Sequence, residues 1–171
     1  MSKKHCDWRW SQRGPSFYRS PLFGSYGFTL IEVMIVVVIF ATVAAVATPN
    51  YMKFRYRARI ARATSEIRIF EVGISAYLIE NDNLPNNLSD ISLENINDAW
   101  GNPYKYLKID GGNSPAVQRR KDRFLVPVNS DYDLYSMGKN VESIPPFTAM
   151  TSLDDIVRAN NGAYVGLVSS Y

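Results

Sequence analysis

The chain has one cysteine and one histidine in 171 residues, and they are neighbours, Cys6 and His5. From Asp7 onward there is no thiol and no imidazole. That excludes a disulfide framework, a Cys–His nucleophile, an imidazole base and the usual Cys/His zinc site from the rest of the molecule. There is no P-loop and no glycine-rich dinucleotide fingerprint. Charge is missing as well over one long stretch: from Phe28 to Thr48 the only ionisable side chain is Glu32.

What is present there is "GFTLIEVMIVVVIFATVAAVATPNY", Gly27 to Tyr51. A run of this length suffices to cross the ~30 Å hydrocarbon core of a bilayer as a helix. An acidic group inside such a span costs roughly 2.5–3.5 kcal/mol at the helix centre and less near an end, so Glu32 calls for a partner. The alternative is a carboxylate lying at the interface and merely solvated.

The mean hydropathy of −0.17 shows that the remainder is soluble in character, which gives one anchor and one head. The formal charge of +3 is local. Five of the nineteen Lys and Arg (Lys3, Lys4, Arg9, Arg13, Arg19) and one of the sixteen Asp and Glu (Asp7) precede Phe28, so the rest carries one net negative charge. A basic section before an apolar run resembles a secretory signal, and "ATVAAVAT" could serve as its cleavage site near Thr48. The apolar run is, however, longer than the ~7–15 residues of a signal core, so a retained anchor is expected. Lys53, Arg55, Arg57, Arg59, Arg62 and Arg68 follow the span closely, so the positive-inside rule does not orient it.

Beyond the span, Tyr56, Ile60, Ala63, Ile67, Phe70, Ile74 and Tyr77 recur at steps of four and three, one apolar stripe with Arg55, Arg59, Arg62, Glu66 and Glu71 off it. One helix from about Phe28 to Glu80 is expected, about 80 Å long at ~1.5 Å per residue. Pro49 should kink the helix or melt it locally around Ala45 to Tyr51, or else separate two helices, because it removes a backbone donor and clashes with the preceding turn. "ENDNLPNNLSD" ends the helix. "PYKYLKI", "DRFLVPVN" and "YDLYSMG" read as strands of a small antiparallel sheet laid across it. In "WGNP", Trp100 should pack against the sheet and Gly101 supply unusual backbone angles. Arg119, Arg120, Lys121 and Arg123 read as a solvated loop, and no nucleic acid is expected. The fold class is α+β: a long N-terminal helix, half transmembrane and half amphipathic, packed on a small antiparallel sheet.

The segment "GFTLIEVMIVVVIFATVAAVATPNY" resembles the N-terminus of type IV pilins and type II secretion pseudopilins, and the fold is then pilin-like. The resemblance implies cleavage by a prepilin peptidase between Gly27 and Phe28, methylation of the Phe28 amine, and a role for Glu32 in aligning that amine with neighbouring subunits during assembly. "DAWGNPYKYL" and "YDLYSMGKN" resemble the major-pseudopilin branch, the general secretion pathway G family, over most of residues 27–140. The implied division is a leader 1–27, a transmembrane and assembly helix 28–48, an amphipathic helix 49–82 and a head 83–171. The leader is long for this family, so the true start codon is open. The implied partners are copies of this chain in a helical filament, the peptidase, an inner-membrane assembly platform and minor pseudopilins. The location is the bacterial inner membrane with the head outside the cytoplasm, then a periplasmic or extracellular filament.

The resemblance also implies a calcium site in "TSLDDIVRANNG", with Asp154, Asp155 and Asn140 as ligands. Calcium accepts six to eight oxygens and irregular loops. The alternative is that Asp154 and Asp155 cap a short helix, with Tyr164, Val165, Leu167 and Tyr171 packing the tail onto the sheet. Three function classes follow: a filament subunit for type II secretion or a surface pilus, a minor pilin-like protein that primes assembly or takes up DNA, and an unrelated single-pass protein. The head shows no convergent catalytic constellation, so an enzyme is not expected. Glu32 favours the first class.

Overall fold

The computed structural model describes residues 27–109 and 114–171. The leader, with His5 and Cys6, lies outside them, apart from Gly27. One long helix, α1 (Leu30–Asn81), is followed by four strands: β1 (Lys105–Lys108), β2 (Tyr132–Ser136), β3 (Ile156–Ala159) and β4 (Tyr164–Leu167). They form one sheet in the order β1-β2-β3-β4, and every neighbouring pair is antiparallel. The chain divides into two compact units at Val43/Ala44.

In the first unit the helix buries nothing within its own chain. Every residue from Phe28 to Val43 is exposed, including Phe28 at 88%. Its most apolar window has a mean hydropathy of 2.8, long and apolar enough to cross a membrane.

In the second unit the expected stripe is the buried one. Ala63, Ile67, Phe70 and Ile74 are inaccessible or nearly so, Ile60 packs beside them, and Tyr56 and Tyr77 are half-buried at the two ends. The helix runs unbroken through Pro49, so neither the melted stretch expected around Ala45 to Tyr51 nor the separate-helix alternative holds. Thr48 Oγ1 donates to the Ala44 carbonyl at 2.8 Å, which ties a side-chain bond into the turn where the proline removes a backbone one. The helix ends at Asn81, where Asp82 adopts a left-handed φ of 51°.

The sheet is covered on both faces. Phe70 and Tyr104 meet with ring centroids 4.9 Å apart in the layer between helix and sheet, which also holds Tyr132, Leu134 and Ile156. On the other face Val157 and Ala159 pack with Val128, Phe147 and Val168. Ile156 and Val157 point to opposite layers, as the two-residue period of a strand demands. Trp100 joins the helix-side layer and meets Tyr56 edge-on at 6.4 Å, and Gly101 takes φ 94°, as the "WGNP" expectation has it.

Two expectations are corrected. "DRFLVPVN" is not a strand: Asp122 and Leu125 form an isolated bridge around a tight turn, Phe124 is fully exposed, and Pro127 cannot donate to a ladder. Nor is "DDIVRANNG" one short helix capped by the aspartates: only its last three residues, Asn160–Gly162, make a 3-10 turn. Ile156–Ala159 is β3, since Ile-Val favours a pleated surface once both faces are covered. The tail beyond it folds back as β4, with Val165 and Leu167 in the helix-side layer and Tyr171 edge-on to Phe147 and Tyr164 at 5.4 and 5.1 Å.

Phe70→Ala should cost about 3–5 kcal/mol, because it removes a fully buried ring from a layer that cannot collapse around the gap. Val72→Ala, two residues further on, on the opposite face of the helix and 72% exposed, should change stability by less than about 0.5 kcal/mol. Urea unfolding of the detergent-solubilised chain, followed by near-ultraviolet circular dichroism, measures both.

Candidate functional site

Two places carry the candidate site residues, and each belongs to one unit. At the start of α1, Thr29 and Glu32 form a reciprocal pair. The Glu32 carboxylate accepts from the Thr29 backbone N–H and from its hydroxyl, both at 2.8 Å and both on Oε2, while the Glu32 N–H donates to Thr29 Oγ1 at 3.3 Å. This is a capping box, which satisfies helix-start donors from within the helix. The signal was in the sequence, a Thr followed three residues later by Glu ahead of an apolar run, but the family motif occupies the same residues.

The capping box changes the account of Glu32. A lone carboxylate in an apolar span is costly because nothing solvates it. Here its own N-terminal turn supplies two donors. Among the described residues Oε1 accepts no bond, so one oxygen remains for a cation while the other starts the helix. Phe28 and Glu32 flank an open apolar groove of about 460 Å³ along with Val33, Ile35, Val36 and Val37. Gly27 lies just ahead, with open space around its Cα.

The second place is the loop layer over the outer face of the sheet. Arg120 is its centre and is only 2% exposed. Its backbone N–H donates to Asp133 Oδ2 at 2.7 Å, and its guanidinium donates to Ser143 Oγ (2.6 Å), the Ile144 carbonyl (2.9 Å) and Asp155 Oδ2 (2.5 Å). The guanidinium also lies over the rings of Tyr135 and Phe147, at 4.3 and 5.2 Å. Asp155 is fully buried and accepts a second bond from the Ser143 hydroxyl. Burial pushes the Asp155 carboxyl upward, opposed by Ser143 and Arg120, and burial pushes Asp133 up in the same way. The expectation of a solvated loop therefore fails at Arg120, while Arg119 is engaged by Ser114.

This layer decides whether the residues named for calcium fit that ion. Asp155 turns into the protein and already holds a cation, the guanidinium. Asp154, next in the chain, points along the surface: its Oδ2 accepts from the backbone N–H groups of Lys139 and Asn140, at 2.9 and 3.1 Å. Asn140 uses its amide locally, donating to the Thr151 carbonyl and accepting from the Glu142 N–H, both at 2.9 Å. A Cβ on Gly138 would meet the Asp154 carbonyl oxygen at 2.2 Å, so only glycine lets the turn close on this strand entry. Among the described residues no group of three or more His, Cys, Asp or Glu could hold a metal. As they stand, Asp154, Asp155 and Asn140 are each bonded to protein groups, and the cation at Asp155 is the Arg120 guanidinium on Oδ2, while the buried Asp155 Oδ1 has no partner among the described residues.

The helix side of the sheet has a matching arginine. Arg158 donates to Glu71 Oε1 (2.8 Å) and to both carboxylate oxygens of Asp131 (2.8 and 2.7 Å), with its guanidinium 4.0 Å from the centre of the Tyr132 ring. Burial and its opposing neighbours leave the Tyr132 phenol pushed up to about 12. Glu66, also on α1, accepts from the Tyr104 hydroxyl at 2.6 Å, and burial with this bond pushes that phenol up. The carboxylates placed off the stripe in the sequence thus flank it and grip the head.

The profile of the prokaryotic N-terminal methylation motif matches residues 23–48. The chain is similar to the type II secretion system core protein G of Pseudomonas aeruginosa, 29% identical over 133 residues, covering 66% of this chain and 82% of that one. It is 30% identical to the core protein G of Aeromonas hydrophila over 102 residues, covering 47% of this chain and 71% of that one. With a fimbrial protein of Pseudomonas aeruginosa it shares 41% identity over 54 residues, 32% of this chain and 35% of that one. No solved structure matches.

Asp155→Ala leaves a buried guanidinium without its carboxylate and should destabilise the head by about 3–5 kcal/mol, against about 1 kcal/mol for Asp154→Ala, which loses only a turn cap. The melting temperature of the unaltered chain should be the same in calcium and in chelator. A calcium-dependent rise that either substitution abolished would show that the loop binds the metal after all.

Proposed function

This chain belongs to the family of type IV pilins and type II secretion pseudopilins, and from that premise we propose that it is a filament subunit of a type II secretion system, matured by cleavage between Gly27 and Phe28. The observation that carries the assembly reading is Glu32: the one charge in a helix surface that buries nothing within its own chain, with one oxygen still available. Cleavage creates a cationic, methylated amine at Phe28. In the membrane the exposed helix meets lipid; in a filament the same surface meets its copies, and the Phe28 amine of one copy neutralises the Glu32 carboxylate of another. Pairing the two charges, where each alone would stand uncompensated in apolar surroundings, is what makes the contact favourable.

The secretion role is supported by coverage. Similarity to the core proteins G extends over most of those proteins, whereas similarity to the fimbrial protein stops after 54 residues. A surface pilus subunit, or a minor pilin-like protein for assembly priming or DNA uptake, is the other reading. The head stands outside the cytoplasm after insertion, an assembly platform and minor pseudopilins are its working partners, and it catalyses nothing.

Mass spectrometry of the envelope protein should find a chain of 144 residues, the 171 less the first 27, beginning with a methylated Phe28. An N-terminus near Thr48 would mean a cleaved signal and no anchor. Glu32→Gln is the informative substitution for assembly, because glutamine also serves at the third position of a capping box but carries no charge. Insertion should be normal and filament formation strongly reduced when counted by electron microscopy. Normal filaments from the Gln variant would mean that helix capping, not charge pairing, is what Glu32 does.

A further inference from the structure

The stretch of α1 between the apolar span and the head carries a cluster that neither the packing nor the assembly contact uses. From Val33 to Ser65 there is no Asp or Glu, yet Lys53, Arg55, Arg57, Arg59 and Arg62 fall within about three turns. Lys53, Arg55 and Arg57 are exposed and Arg59 is half-buried. Of the five, only Arg62 meets a carboxylate among the described residues, Glu66 at 2.7 Å. Interleaved with them, Tyr51, Met52 and Phe54 are 61%, 66% and 71% exposed, large apolar side chains left in the open beside cations.

Their arrangement is specific. On one flank Tyr51, Phe54 and Ala58 floor an open groove of about 370 Å³ whose rim is Arg55, Arg59 and Arg62. The Arg55 guanidinium lies over the Tyr51 ring, 5.8 Å from its centre. On another flank Lys139, from the turn after β2, faces Met52 and Tyr56. Asp154 borders that second flank beside Lys53, so the first groove is the more purely cationic.

A cationic rim over an apolar floor fits a phosphodiester attached to an acyl chain. Aromatic and basic side chains just beyond an apolar span make up the composition that settles at a membrane–water interface. The distance is right too: Lys53 is five positions beyond Thr48, about 7 Å of helix, close to the depth of one headgroup layer. An acidic protein surface would satisfy the cations but gives no reason for the exposed Tyr51, Met52 and Phe54.

We propose that residues 51–62, with Lys139, form a collar that binds anionic phospholipid, its phosphodiester held at the Arg55–Arg59–Arg62 rim and its glycerol and first methylenes on Tyr51, Phe54 and Ala58. The inference rests on the reading that the segment from Phe28 spans a membrane. It accounts for a second basic cluster that has no use as an orientation signal. The bilayer's anionic lipid content then sets how firmly a waiting subunit is retained, since leaving for a filament means giving up these contacts.

The test uses the full chain reconstituted in phosphatidylcholine bilayers with trace spin-labelled phosphatidylglycerol or phosphatidylcholine, the motionally restricted fraction of each being read by electron paramagnetic resonance. Phosphatidylglycerol should associate about fivefold more strongly or better, the factor that one basic residue near an anionic surface contributes. The preference should fall steeply in 1 M salt, where the screening length is about 3 Å. The combined variant Lys53→Gln, Arg55→Gln, Arg57→Gln, Arg59→Gln, Arg62→Gln, Lys139→Gln should restrict both lipids equally with an unchanged near-ultraviolet spectrum. Equal association in the unaltered chain, or a preference that survives the combined variant, overturns the collar as the anionic-lipid site. No restricted lipid of either kind would instead sink the membrane span, and the collar with it.

Discussion

The head depends on one strand that is buried on both faces. All four residues of β3 are inaccessible or nearly so, and they alternate between two layers: Ile156 and Arg158 toward α1, Val157 and Ala159 toward the loops. Each layer is closed by an arginine. Arg158 joins the strand to Glu71 on the helix and to Asp131 before β2; Arg120 joins the loop layer to Asp155 at the strand's entry. A small domain without disulfides needs other long-range ties, and these connect residues far apart in the chain: 87 positions for Arg158–Glu71 and 35 for Arg120–Asp155.

The long helix answers to two different solvents, and its sequence changes where they change. Up to Thr48 it is apolar all round, which suits hydrocarbon or the packed helices of a filament. From Tyr56 it is apolar on one stripe only, which suits a sheet on one side and water on the other. The transition zone between them holds the aromatic and basic residues that belong to neither environment. Glu32 stands at the far end, where capping makes its charge tolerable without using all its acceptor sites.

What was legible in the sequence is what repeats locally. The stripe from Tyr56 to Tyr77 could be read because helical period is a short-range property, and β1 and β2 because branched and aromatic runs were bounded by turn residues. The loop layer could not be read. "QRRKD" has the composition of a solvated loop, and nothing near Arg120 in sequence announces that Ser143, Ile144 and Asp155 will surround it. β3 was obscured for a related reason: two adjacent aspartates before Ile-Val look like a helix cap, and only a distant arginine makes it possible to bury one of them. The capping box of Thr29 and Glu32 was legible, but the family motif in the same residues already supplied an explanation for the acid.

Two buried ion pairs need not add much net stability, since desolvation offsets most of their attraction. What they add is intolerance of error. If β3 slipped by one residue against β2 and β4, every side chain would change face. Arg158 would enter the layer of Phe147 and Val168, Val157 would face Glu71, and Arg120 would lose the carboxylate that holds it in the interior. A hydrophobic mismatch of that kind could be tolerated in part by repacking; two uncompensated buried charges could not. The arginines therefore fix the register of the strand on which the head is built.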